Sequence, residues 1–416
     1  MSSSYRKAYV VLGAGALLGL APGSRADNWE FLPRIQVGGT FNDNYRLAQT
    51  DADKLQVYGP FIDAQLAADY VTQRGKFEIA PRVRSDYFPK DHADQSTDGY
   101  LDIDGEYRTL RSRFTGLAQY SNESVIYSQL LPATFPGVHL GEAVGGETGR
   151  VSVSNREQLV RVVPDYIYDF TQRTHLNLQA EYDRATFDKS ALQQVGFNNV
   201  TGQAGLLFDV TQRSTISVSG EGGRFSPQTG GTSANLAGAN LEWDLRESQI
   251  MQFYARIGGT RTTADTANGT VAVTGVTGGM GVEWRYQITE VVLDALRAVS
   301  PSSAGNESVN DEIRFRVLHA FKPRFSGFVG ARGVRVRGVS NRQGLAVQGE
   351  DYFTTEVGVD YQVTQTYRLE ATYDYIWQRF QSEPSAQSNA VALSIIYQPL
   401  SRYEPLPELT GIPRER

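Results

Sequence analysis

The chain of 416 residues contains no cysteine, only three methionines and only four histidines. Without cysteine there is no disulfide framework, no thiolate metal site and no thiol nucleophile. The histidines stand apart at 92, 139, 175 and 319, and none belongs to an HExxH pattern. No GxSxG elbow is present, and no glycine-rich loop sits between a strand and a helix to cradle phosphate. An enzyme is therefore not expected, and neither a cofactor nor a metal is called for. His175 has aspartates nearby, but a single histidine on a wet polar wall is read as part of that wall. Basic runs are also lacking: 40 Lys and Arg stand against 46 Asp and Glu, a formal charge of −6, which argues against a nucleic-acid partner. After the first residues no stretch approaches the roughly 20 apolar residues of a spanning helix. A mean hydropathy of −0.37 excludes a helical membrane protein, but not a barrel, whose strands are apolar only at alternate positions.

The one apolar run opens the chain. Arg6 and Lys7 precede "AYVVLGAGALLGLA", followed by "PGSRA" with small residues at Ser24 and Ala26. A charged start, a short apolar core and a small-residue cleavage site read as a signal peptide over 1–26. Its removal takes Arg6, Lys7 and Arg25, leaving 37 basic and 46 acidic residues and a charge of −9.

What the chain has in quantity is alternation. In "YLDIDGEYRTL", Leu101, Ile103, Gly105 and Tyr107 oppose Asp102, Asp104, Glu106 and Arg108. "THLNLQAEYD" sets Leu176, Leu178, Ala180 and Tyr182 against His175, Asn177, Gln179, Glu181 and Asp183. Period two with one apolar and one charged face is a strand between two different solvents. The runs are about ten to fourteen residues, longer than the five or six usual in soluble sheets and matched to spanning strands.

Short and long connections interleave. "YVTQRG" at 70–75, "FTQRT" at 170–174, "VTQRS" at 210–214 and "VTQTY" at 363–367 repeat one polar unit, always at a short turn. Long Gly/Ser/Asn-rich connections fall between them, the longest at 129–155. This is the pattern of an outer-membrane barrel with short periplasmic turns and long outer loops. The repeated unit is read as a reused turn, with Tyr70, Phe170, Phe208, Trp243, Trp284, Tyr286, Phe325 and Tyr361 as an inner aromatic girdle. Eighteen strands result, so the fold class is all-β: one transmembrane up-and-down antiparallel barrel over 27–402, with 16 strands the nearest alternative. Within it "EVVLDALRAV" is apolar on both faces and leaves a short helix open at 290–302. A Pro-rich periplasmic tail over 403–416 ends the chain.

Strand parity assigns the pore lining. It comprises Arg82, Arg84, Asp102, Asp104, Glu106 and Arg108; Arg161, Glu181 and Asp183; Glu242, Asp244 and Arg256; Glu283 and Arg285; and Arg314, Arg316, Arg332, Glu356, Asp360, Arg368 and Glu370. Such charges either bias which solute enters or pair across strands and brace the wall. Arg335 and Arg337 would join them only through a bulge near Gly333.

Two stretches resemble the beta-barrel porin type 2 family. "WEFLPRIQVGGTFNDNYRLA" at 29–48 has that family's opening, with an Asp-Asn pair before the first outer loop. "LRAVSPSSAGNESVNDEIRFRV" at 296–317 is similar to its internal pattern, through Arg297, Pro301, Ser302, Gly305 and Asp311. The resemblance implies an outer-membrane barrel associated with exopolysaccharide export. The expected function is a passive channel with a polar lumen, serving export of an extracellular polysaccharide or, alternatively, diffusion of small solutes past an inturned 129–155 loop. The expected partners are outer-membrane lipids and lipopolysaccharide, the barrel assembly machinery and a polysaccharide-export complex.

Overall fold

The computed structural model describes residues 29–91, 94–129, 155–188, 194–229, 232–246, 248, 250–266, 269–302, 306–338, 349–380 and 383–399. The signal peptide, the tail at 403–416 and the body of the 129–155 loop lie outside the described residues.

Eighteen strands form. The first six are β1 (Trp29–Asn42), β2 (Val57–Val71), β3 (Gly75–Asp86), β4 (Ser96–Arg108), β5 (Ser112–Ser124) and β6 (Arg156–Asp169). The next six are β7 (Thr174–Phe187), β8 (Phe197–Thr211), β9 (Ser214–Pro227), β10 (Ala234–Arg246), β11 (Met251–Thr266) and β12 (Gly269–Tyr286). The last six are β13 (Thr289–Ser302), β14 (Asn306–Lys322), β15 (Phe325–Gly338), β16 (Glu350–Gln362), β17 (Tyr367–Phe380) and β18 (Ala386–Tyr397). One short helix, α1 (Val125–Gln129), follows β5. Each strand pairs antiparallel with the next, and β1 pairs with β18 from Ile35–Tyr397 to Asn42–Ala390, closing the barrel. The segment at 290–302 is strand throughout: β13 pairs with β14 along its whole length, and the ladder overrides the mixed apolar pattern.

The seam is latched at its outer end. Asn389 donates from its backbone and its side chain to Asp43, both at 2.7 Å, and Ser388 donates to Asn42 Oδ1 at 2.9 Å. Asn44 donates to the carbonyls of Ala48 and Gln387. The Asn-Asp-Asn triplet of the opening stretch is thus the clasp between first and last strands.

The repeated turn has a physical basis. The hydroxyl of Thr72 accepts the amides of Arg74 and Gly75 at 3.3 and 3.0 Å. Thr171 does the same for Arg173 and Thr174, and Thr364 for Thr366 and Tyr367. This side-chain turn satisfies amides that a two-stranded ladder leaves open. The carbonyls of Arg74, Arg173 and Arg213 then accept amides from the strand beyond, at 2.7, 2.9 and 2.7 Å, so each turn also ties to the next hairpin.

Large apolar side chains cover the outside. Leu178, Val218, Leu241, Ile257, Met280, Ile313 and Leu393 are all exposed there. A soluble monomer does not carry such a continuous belt; hydrocarbon solvates it. Aromatic pairs mark its inner edge, among them Trp29 with Tyr70, Trp243 with Phe253, and Trp284 with Tyr286.

Candidate functional site: the inward wall

The register puts the charged residues named from parity on one shared face of the sheet, the face opposite the exposed Leu178, Leu241 and Met280. Glu78, Ala80, Arg82 and Arg84 of β3 stand opposite Asp104, Asp102, Tyr100 and Asp98 of β4. Asp294 of β13 faces Arg314 of β14, which in turn faces Arg332 of β15.

The structure brings these residues together mostly as ion pairs. On β2 to β6, Arg82 forks onto Asp63, with Nε 2.9 Å from Oδ1 and Nη2 2.5 Å from Oδ2, while its guanidinium lies 5.1 Å from the Tyr100 ring. Arg84 bonds Asp86 at 3.0 Å and stacks on Phe61 and Tyr127. Tyr100 donates to Glu123, and Gln119 to Asp102. Arg161 reaches Glu181 at 3.0 Å and Asp183 at 3.7 Å. On β13 to β17, Arg314 pairs with Asp294 and Arg316 with Glu290. Arg332 pairs with Glu312 at 2.8 Å, with side chains only 2% and 5% exposed. Arg368 joins Asp360 to Glu370. Arg285 contacts Glu283 and Glu290, and Arg256 lies 3.8 Å from Glu242. Asp104, Asp244 and Glu356 share the face, and Arg108 contacts Glu106 near the inner rim.

The condition for Arg335 and Arg337 to join the inward face is not met. No bulge occurs at Gly333: β14 and β15 stay in register from Ser308–Gly338 to Ala320–Ser326. Arg335 and Arg337 therefore face outward, where Arg335 pairs with Asp351 and Arg337 with Asp311.

Above the Glu242–Arg256 contact the arc from β8 to β12 carries few charges, Glu221 among them. Its inward residues include Thr201, Gln203, Ser219, Asn240, Thr260 and Thr277, interspersed with glycines. Glycine has a packing role on β12. A Cβ on Gly279 would lie 2.9 Å from Tyr254 Oη and 3.1 Å from Leu296, so its absence lets Tyr254 of β11 reach across β12 and bond Asp294 of β13.

The mouth is narrowed by an element that alternation does not reveal. β12 pairs with β13 only from Tyr286–Thr289 to Gly278–Arg297, whereas β12 stays on β11 to Gly269 and β13 stays on β14 to Ser302. The outer part of the β13–β14 hairpin thus leaves the wall. It turns inward: β14 touches β9, with β10 to β13 between them in the wall. Glu307 has the outward parity of its strand, yet its carboxylate lies beside inward-facing Thr262 of β11. A hairpin folded in toward β9 brings the two together. Glu307 and Ser308 are buried accordingly.

Opposite, loop residues cap β2 to β6. Tyr45, Val57, Phe88, Val125 and Ile126 form a buried cluster at the outer end, joined by Leu55 and Phe187. Arg46 holds Asp94 from the neighbouring loop at 2.6 Å. Burial pushes the Tyr45 and Tyr127 phenols well up from their ordinary value. Near the inner rim His175 bridges Asp169 at 2.6 Å and Asp209 at 3.1 Å, so carboxylates engage both ring nitrogens.

No protein-family model matches the chain, and no curated protein matches it. The resemblance to the beta-barrel porin type 2 family stands on its two stretches alone. Solved structures similar to the chain include Pseudomonas aeruginosa OccK2 (OpdF), at 10% identity over 89% of this chain and 98% of that one, with a TM-score of 0.46. P. aeruginosa OccK3 (OpdO) is 12% identical over 88% and 96%, with a TM-score of 0.45. The FrpB iron transporter from Neisseria meningitidis (F3-3 variant) is 8% identical over 92% and 82%, with a TM-score of 0.45. Likenesses of this size add nothing to what the strand order establishes.

Proposed function

We propose that the protein is an outer-membrane channel of a Gram-negative bacterium that passes small polar solutes by diffusion. The observation that carries this reading is the inturned hairpin. A barrel with a polar inward face and a mouth narrowed by its own wall suits solutes smaller than a polymer. Paired charges give the path hydrogen-bonding sites without strong net attraction, so a solute enters and leaves without being trapped. Export of an extracellular polysaccharide, implied by the two resembling stretches, has no counterpart in the wall that favours it.

Planar-bilayer recording tests the proposal. The wild-type protein should give steady conductance, and replacing 299–308 by a Gly-Gly turn should raise it. No conductance from either protein, each correctly folded, would sink the channel reading. Block by long oligosaccharides but not by disaccharides would return the polysaccharide reading.

A further inference from the structure

Arginines recur on the outside of the barrel at one height. Arg184, Arg224, Arg261 and Arg335 each lie ten residues past the first residue of their strand, at 174, 214, 251 and 325. Arg297, Arg337 and Arg379 fall within two residues of the same offset on β13, β15 and β17. All are exposed and share the outward face with residues such as Tyr182, Val218, Ile257 and Val329.

The register confirms that equal offsets mean equal heights. The line from Thr174, the start of β7, passes through Phe208 to Ile216, two residues beyond the start of β9. The line from Arg184 passes through Asn198 to Ser226, likewise two residues beyond Arg224. Ten residues rise about 33 Å along a strand. At a tilt of about 40° that is about 25 Å of height, the thickness of the apolar band of such barrels. The arginines therefore stand at the outer edge of the hydrocarbon, on the side of the long loops.

The girdle is one-sided and cationic. At the same offset β1, β3 and β5 carry Gly39, Ser85 and Asn122. Asp311 and Asp351 are interleaved with Arg297, Arg337, Arg335 and Arg379. Among the described residues the side chains of Arg184, Arg224 and Arg261 have no ion-pair partner. Below Arg261, and bounded by Arg297, runs an open apolar groove of about 520 Å³, lined by Leu241, Trp243, Ala255, Ile257, Val276 and Met280. Its volume falls within the roughly 300–1,000 Å³ of ordinary ligand sites.

We propose that the flank from β7 to β17 binds outer-leaflet lipid with a phosphate-bearing headgroup, the phosphates on the arginines and an acyl chain in the groove. Arginine matches phosphate through paired donors, and a headgroup at this height brings its chain down the wall into the apolar slot. Snorkelling into water accounts for the common height, but not for the confinement of the arginines to β7–β17 or for the groove beneath them.

The test uses the full-length protein in phosphatidylcholine nanodiscs doped with bis-phosphorylated lipid A or its dephosphorylated form. Native mass spectrometry then counts the lipid A retained on the protein. Wild type should retain the phosphorylated lipid about tenfold better. R184Q/R224Q/R261Q should retain the two alike, and the triple Lys variant should keep most of the preference. Ala255→Trp, which fills the groove, should weaken retention of both lipids. Equal retention of the two lipids by wild type would overturn the proposal, as would an unchanged preference in the folded triple-Gln variant. If that variant does not assemble, the wild-type and Lys results decide. Displacement by inorganic phosphate at millimolar concentration would reassign the arginines to free phosphate and likewise overturn the lipid site. Conductance does not enter the readout, so the outcome is independent of the channel reading.

Discussion

Between β8 and the outer part of β12 the barrel turns Thr201, Gln203, Ser219, Asn240 and Thr260 inward; between β13 and β17 it turns Asp294, Glu312, Arg314, Arg332 and Glu356 inward. The two arcs have the same ladder of backbone bonds and the same alternation, so they differ only in what the side chains require. A carboxylate or guanidinium drawn out of water must be answered by a partner on the next strand, and the charged arc is laced by such pairs. The other arc has one such contact low on the wall, Arg256 with Glu242, but above it short neutral side chains such as Thr260, Thr262 and Thr277 impose no such demand. They leave space, and the hairpin from the charged arc occupies it, with Glu307 on Thr262 as the contact between the two. The wall is braced on one side and roomy on the other, and the roominess is what lets part of the wall fold inward.

The most severe way to break this contrast is to strip one buried pair. Arg332→Ala leaves the buried Glu312 with only the more distant Arg314, 3.7 Å away, and should destabilise the barrel by roughly 3 kcal/mol. Thr201→Ala, in the neutral arc, should cost about 0.5 kcal/mol or less. Urea unfolding in detergent, followed by tryptophan fluorescence, compares them; equal midpoints would erase the distinction between arcs. Next comes the wall's other face. Leu178→Arg puts a charge against hydrocarbon at about 2–4 kcal/mol, whereas Asn177→Arg points inward and should assemble normally. Heat-modifiability on gels reports both, and identical behaviour would contradict the assigned facing.

A smaller effect is expected where the arcs meet. Gly279→Val sets a side chain against Tyr254 and Leu296 and should cost about 1–3 kcal/mol through overpacking. Gly275→Val, with only Thr260 Oγ1 near its Cβ at 4.0 Å, should be milder. Smaller again, Thr171→Val removes the hydroxyl that accepts two turn amides and should cost about 1 kcal/mol, with no change in conductance.

The strands were legible because the membrane makes period two unusually clean. β2 and β10 span 57–71 and 234–246, the residues that alternation marks. The turns were legible because one Thr-based device recurs. Parity also grouped the charges on one face, since each register step fixes the facing of a whole strand. It placed Arg335 and Arg337 outward too, and the bulge invoked to bring them in does not exist. The inturned hairpin was not legible. Alternation predicts long connections at 265–273 and 303–309, but β12 begins at Gly269 and β14 at Asn306. Residues that continue as strand keep their alternation whether they stay in the wall or leave it. Where they go depends on the room made by Thr260, Thr262 and the glycines of strands distant in sequence. The ion pairs were hidden for the same reason: parity names the face, and only register names the partner.

The parting of β12 from β13 above Gly278–Arg297 also has a mechanical side. Below that pair the hydrogen bonds run around the full circumference as an unbroken hoop; above it the hoop is cut. A cylinder with a notch in its rim yields at the notch. Between Val271 and Thr277 those amides of β12 that do not bond β11 lack a ladder partner on the other side. They should exchange with deuterium far ahead of their counterparts in β8, whose neighbours flank it to Phe197, and heating should unzip the barrel from this edge downward.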